Sequence, residues 1–190
     1  MGTGSSGSAA KASPRARRRV RVLRVGHRPG RDPRLTTHVA LVARAFGAER
    51  MYLHPPDPSL ADRLRHVADE WGGSFEVVDA PEWRSVVRSA PGAVVHLTMY
   101  GLPLDRALPR IRRSRDVLLV VGGAKVPSEL YRAADLNVAV GHQPHSEVAA
   151  LAVVLDRLVG APGPAAWAGA RRRVVPRARG KKVVVRSGRR

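Results

Sequence analysis

From Val20 onward, short apolar runs alternate with amphipathic stretches. VRVLRVG, RMYLH, FEVVD, AVVHLTM, DVLLVVG and LNVAVG have strand length and are rich in branched residues. Between them TTHVALVARAFG, SLADRLRHVADEW, LDRALPRIRR and a short turn at SELYRAA carry helical spacing. That alternation predicts an α/β domain on a mostly parallel sheet of about six strands. Thr36 or Thr37 is expected to cap the first helix and Gly47 to end it; Pro58 and Ser59 open the second, and Gly72-Gly73 close it.

The last helix, about His145 to Val159, has apolar residues at 148, 151, 152, 155, 158 and 159, with Val153 and Val154 widening the stripe. A helix apolar on nearly all sides is covered from two directions, by its own sheet and by a second subunit, so a homodimer is expected. APGPAAWAG then reads as a linker, and RRRVVP, RARGKK and VVVRS as a small basic β-hairpin turning near Gly180, outside the main sheet. The chain thus divides into a basic N-terminal arm (1–19), a main domain (20–160) and a linker with hairpin extension (161–190).

Charge adds a partner to this picture. The net charge is +19, but the tails at 1–20 and 171–190 hold 15 basic residues and no acid, leaving the body nearly balanced. Two basic tails on a balanced body point to a polyanion, with nucleic acid the commonest. The chain has no Cys, which removes disulfides, thiolate metal sites and cysteine nucleophiles and fits a cytoplasmic location. No apolar run has the length of a membrane span, so no membrane association is expected. His142 and His145 are the closest-spaced histidines, yet without Cys or an acidic cluster no metal site is expected.

Candidate chemistry sits in the loops that follow the strands. Gly122-Gly123-Ala124-Lys125 lets a ligand approach backbone N–H groups, though without the spacing of a triphosphate-binding loop. Gly141-His142-Gln143-Pro144-His145-Ser146 leads directly into the last helix and offers donors at its N-terminus, with Ser146 as a cap. Arg24, His27, Arg28, Arg31 and Arg34 crowd the end of the first strand, where like charges repel unless they serve an anion. The segment His96 to Gly101 is a second cluster that packing does not explain. On residues alone, a non-catalytic RNA-binding module and an enzyme for a small phosphorylated metabolite both stay open.

Taken together, LRVGHRPGRDPRLTTHVALVARAFGA, VHLTMYG, VGGAKVP, ADLNVAVGHQPHSEVAALAVVLDRL and VVPRARGKKVV resemble the archaeal tRNA 2′-O-methyltransferase family that modifies cytidine 56 in the T-loop. The resemblance runs from about Val20 to Val185. It implies the SPOUT superfamily: a Rossmann-like sheet with a deep C-terminal trefoil knot, a homodimer, S-adenosylmethionine as cofactor and tRNA as substrate. By position it places the cofactor against Leu97, Gly122, Gly123, Ala124, Lys125, Val126, Val140, Gly141, His142, Gln143, Pro144, His145, Ser146 and Glu147. Leu97, Val126 and Val140 beside glycine-rich turns suit an adenine, and Glu147 is placed to face positive charge. The resemblance further implies that an arginine of the first motif serves the reacting group, Arg34 ahead of Arg31. The sequence departs from commoner SPOUT ribose methyltransferases, whose motif arginine falls where Leu41 stands and whose asparagine falls near His145. A neutral imidazole accepts a proton better than a guanidinium, which keeps His145 and His38 open as the base.

Overall fold

The computed structural model describes residues 18–31, 33–123 and 125–186. In chain order these form β1 (Arg19–Val25), α1 (Pro33–Ala45), β2 (Arg50–His54), α2 (Pro58–Trp71), β3 (Glu76–Asp79), α3 (Trp83–Arg88), β4 (Ala93–Pro103), α4 (Leu104–Ile111), β5 (Asp116–Gly122), α5 (Ser128–Ala133), β6 (Leu136–Ala139) and α6 (Glu147–Val159). A 3-10 turn at Pro164–Trp167 precedes β7 (Arg172–Val174) and β8 (Val183–Val185).

The six expected strands form one sheet, ordered β3-β2-β1-β5-β4-β6 and parallel throughout. The unbroken apolar run of β5 is explained by helices on both faces. Val117, Leu119 and Val121 join α1, α2, α4 and α6 in one core, while Leu118 and Val120 join Trp83, Val87 and Leu130 in the other. The chain builds outward from β1 to β3 and then crosses to place β5 and β4 on the opposite side. A crevice opens at such a reversal, outside the carboxyl ends of the strands.

Several local expectations need correction. Helix α1 begins at Pro33, before Thr36 and Thr37; proline is pre-set for a first helical position. Thr36 is buried inside the helix, its Oγ1 2.8 Å from His27 Nδ1. Helix α2 does open at Pro58, but its cap is Asp57, which accepts from the Leu60 N–H. The six-residue α3 was missed because it is too short to show a helical period. Strand β4 runs past AVVHLTM to Pro103, and Val138 pairs with both Leu97 and Leu102, so residues 98–101 loop out of the ladder.

At the C-terminus the expected hairpin forms a separate two-stranded antiparallel sheet. The preceding linker is not a free tether. Trp167 lies under the Arg44 guanidinium, 5.0 Å from ring centroid to Cζ, and against Gly73. Glu70 pairs with Arg172 at 2.6 Å and with Arg171 at 3.8 Å. Helix α6 packs on α1 and the sheet, leaving Ala149 and Val153 exposed. Among the described residues no helix is long and apolar enough to cross a membrane. Residues 1–17 of the basic arm lie outside the described residues.

Candidate active site

A cavity of about 900 Å³ opens where the chain reverses across the sheet. Its walls come from the loop after β1 (Arg28), the end of β4 (His96 to Tyr100), the β5–α5 loop with Tyr131 of α5, and the entrance to α6. Of the expected cofactor residues, Leu97, Gly122, Gly123, Lys125, Val126, Pro144, His145 and Glu147 line it. A Cβ at Gly122 would overlap the Val126 side chain, so glycine is what lets Val126 close over the strand end.

The others stand elsewhere. Val140 packs against the larger core, Ser146 caps α6 by accepting from the Val148 N–H at 3.2 Å, and His142 Nε2 lies 3.1 Å from the Gly101 carbonyl. Gly141 and Gln143 are also outside the cavity wall, and Ala124 lies outside the described residues. Of the expected catalytic groups only His145 is in the wall; Arg31, Arg34 and the alternative His38 are exposed and outside it. Arg28, one member of the arginine cluster, lines the cavity in their place.

The rest of that cluster is structural. Arg24 is fully buried; its Nη1 donates to the Gly122 carbonyl at 2.6 Å and its Nη2 lies 3.3 Å from Glu147 Oε1. The strand arginine therefore ties the β5 loop to the start of α6, and the charge it serves belongs to the protein. His27 is buried between Thr36 and Asp57, with Nε2 3.1 Å from Asp57 Oδ2. Since His27 and Thr36 flank residues 28–35, their contact closes the base of the arginine loop. The Asp57 carboxyl is held below the ordinary carboxylate range, first by the Ser59 hydroxyl and also by His27.

Sequence reasoning placed Leu97 of the His96–Gly101 segment at the cofactor, gave His96 no role of its own, and missed Tyr131. His96 is buried on β4 and shares 2.9 Å with Asn137 Oδ1, while Asn137 Nδ2 donates to the Tyr131 carbonyl at 2.7 Å. That second bond fixes the amide orientation, so His96 Nδ1 is the donor and Nε2 carries the lone pair. Burial pushes the His96 imidazole below the ordinary histidine range, against the opposing Asn137 bond, and favours this neutral form. The side chains of Arg28 and Lys125 bring positive charge to the cavity, while Glu147 faces Arg24. Among the described residues no group of His, Asp and Glu is arranged to hold a metal.

Two arginines at the end of the basic N-terminal tail are spent on contacts within the protein. Arg18 donates to the carbonyls of Arg112 at 2.7 Å and Ser114 at 3.0 Å, and Arg19 pairs with Asp116 at 2.7 Å. Arg17 is outside the described residues. Among the aromatic side chains, Trp83 is core, Trp167 holds the linker, and Tyr100 is 73% exposed in the cavity wall.

Known proteins are similar to this chain in sequence and in fold. Residues 71–184 match the family described as tRNA ribose 2′-O-methyltransferase, aTrm56. The tRNA (cytidine(56)-2′-O)-methyltransferase of Archaeoglobus fulgidus is 51% identical over 165 residues, covering 87% of this chain and 98% of the relative. That of Methanothrix thermoacetophila is 52% identical over 171 residues, covering 88% and 98%. Among solved structures, a protein of the TrmH family from Porphyromonas gingivalis superposes with TM-score 0.57 at 16% identity, over 79% of this chain and 62% of that one. The SpoU methyltransferase AviRb from Streptomyces viridochromogenes, in complex with the cofactor AdoMet, gives 0.52 at 18%, over 77% and 58%. These two share the fold. With a parallel sheet of that fold, a cavity at its reversal and half the residues in common along nearly the whole length of the relatives, the chain belongs to the tRNA ribose 2′-O-methyltransferase family.

Proposed function

We propose that this protein transfers a methyl group from S-adenosylmethionine to the ribose 2′-hydroxyl of cytidine 56 in the T-loop of tRNA. The observation that carries the reading is the cavity: two glycine-bearing loops and the end of β4 enclose a slot with apolar walls at Leu97 and Val126 and cationic side chains at Arg28 and Lys125. Such a slot fits the cofactor, whose adenine needs apolar walls and backbone hydrogen bonds and whose methionine end needs polar groups. The proposed cofactor contacts are Leu97, the loop at 122–126 and the segment at 140–147.

When bound, S-adenosylmethionine supplies a methyl group activated by its sulfonium. The protein's part is alignment and removal of one proton. Arg24 fixes the Gly122 carbonyl and Glu147, holding the two loops in register. His145 in the wall is the proposed proton acceptor; a positioned base is worth about 10²–10⁴-fold. Arg31 and Arg34, exposed beyond Arg28, are proposed to serve the reacting nucleotide from the arginine loop. Phosphates of the tRNA are proposed to meet Arg173, Arg177, Arg179, Lys181 and Lys182 of the C-terminal extension, which makes binding steeply salt-dependent.

The finer assembly belongs to the same proposal. The main domain spans 20–160 and carries the superfamily's trefoil knot through its last loops; 161–190 is the hairpin extension and 1–19 a basic arm. Exposed Ala149 and Val153 on α6 support a homodimer packed there, working in the cytoplasm. Methylating an unmodified tRNA transcript and mapping the product by nuclease digestion and mass spectrometry tests the reading. One 2′-O-methylcytidine in the T-loop fragment is expected, and a methyl on any other nucleotide contradicts it.

A further inference from the structure

Strand β4 leaves its ladder with β6 after Leu97 and rejoins it at Leu102, and of the four residues between, Thr98, Met99 and Tyr100 line the cavity. Gly101 makes this possible, since a Cβ there would run into the backbone of Asn137 and Val138. The loop is braced from the other side by His142, whose Nε2 lies 3.1 Å from the Gly101 carbonyl. At its crest Tyr100 is 73% exposed. Its ring centroid lies 6.4 Å from that of Tyr131 at a 53° tilt, and Tyr131 meets the buried His96 edge-on at 4.8 Å. The three rings line the cavity in sequence, from buried His96 on β4 to exposed Tyr100.

An aromatic ring held out to solvent by a braced backbone, above a cavity with two cationic side chains, has the properties of a stacking platform for single-stranded RNA. We propose that Tyr100, backed by Tyr131, stacks a nucleobase of the RNA substrate next to the ribose that enters the cavity. This rests on the tRNA methyltransferase reading and adds a substrate subsite to it. The cofactor's proposed slot lies at Leu97, Gly122 and Val126, whereas a ligand meeting Tyr100 keeps its bulk outside the cavity. A base still attached to its polymer does so, and Arg28 and Lys125 are placed to neutralise its phosphates. Stacking tolerates any base, so Tyr100 contributes affinity and orientation, not the choice of cytidine.

The test compares wild type, Tyr100→Ala and Tyr100→Phe in single-turnover methyl transfer to an unmodified tRNA transcript. S-Adenosylmethionine affinity is read by calorimetry and subunit mass by sedimentation. Tyr100→Ala is expected to raise the half-saturating tRNA concentration by roughly 5- to 150-fold, with cofactor affinity and subunit mass unchanged. Tyr100→Phe keeps the ring and stays within about twofold of wild type. An equal loss of cofactor affinity makes Tyr100 part of the cofactor wall, a changed mass makes it a subunit contact, and unchanged saturation leaves it idle; each overturns the proposal. Failure of the wild type to methylate tRNA would instead overturn the parent reading.

Discussion

The guanidinium of Arg24 and the carboxylate of Glu147 meet at 3.3 Å although they stand 123 positions apart in the chain, joining the end of β1 to the first turn of α6. Arg24 is wholly buried and Glu147 partly exposed, so the pair is neither a surface ornament nor fully desolvated. Glu147→Ala leaves a buried cation with a lost partner and is expected to cost about 1–3 kcal/mol in urea unfolding. Replacing both residues by Met should recover part of that loss, because it removes the buried charge as well. A Glu147→Ala protein as stable as wild type would mean that the pair does not hold the loops together.

Acid should weaken the fold in two steps. Burial lowers the His96 pKa from its ordinary 6.5, so as pH falls through about 6.5 the unfolded chain takes up the proton and the folded one resists. Stability therefore falls with falling pH in that window. Asp57 and Asp116 are held below 3.8, by Ser59 and His27 and by Arg19 respectively, and their contribution is lost as pH drops below that value. Urea midpoints at pH 7.5, 5.5 and 3.5 should decline in order, with the first decline smaller in His96→Gln. A midpoint that rises between pH 7.5 and 5.5 would contradict the assignment.

Trp167 joins the basic extension to the body through Arg44, whose Nη2 also donates to the Gly72 carbonyl. Trp167→Ala is expected to cost about 1 kcal/mol of stability and to free the 161–170 segment for proteolysis. Because the extension then loses its fixed place, tRNA affinity should fall while S-adenosylmethionine affinity, measured by calorimetry, stays the same. Unaltered tRNA affinity would show that the hairpin binds RNA without being held.

The proton acceptor can be separated from the arginine loop by substitution. His145→Ala should slow single-turnover methyl transfer about 10²–10⁴-fold while leaving cofactor affinity in place. Arg34→Ala should abolish turnover with cofactor affinity nearly unchanged. Equal loss of cofactor binding in Arg34→Ala would move that residue into the cofactor site or the fold.

What the sequence showed depended on the range of the signal. The apolar run of β5, the alternation around it and the Ser146 cap are local, and each was legible. Glycine at 122 and 123 marked a loop that does line the cavity. The partner of Arg24 was not legible, because a charge cluster read along the chain gives no view of a carboxylate brought in by α6. For the same reason Arg31 and Arg34 stood out while Arg28 faces the cavity. Gly101 ended a segment that packing did not explain, and only the pairing of β4 with β6 shows the close approach that needs a glycine there. Residues 36 and 37 carried a capping signal, yet the hydroxyl at 36 was needed inside, on His27.

The most direct measurement is transfer of labelled methyl from S-adenosylmethionine to two otherwise identical unmodified tRNA transcripts, one with a 2′-deoxyribose at cytidine 56. Label on the all-ribose transcript and none on the deoxy transcript is the expected result. Equal label on both would place the methyl on a different atom, and label on neither, with a folded protein, would leave an RNA-binding module in place of an enzyme.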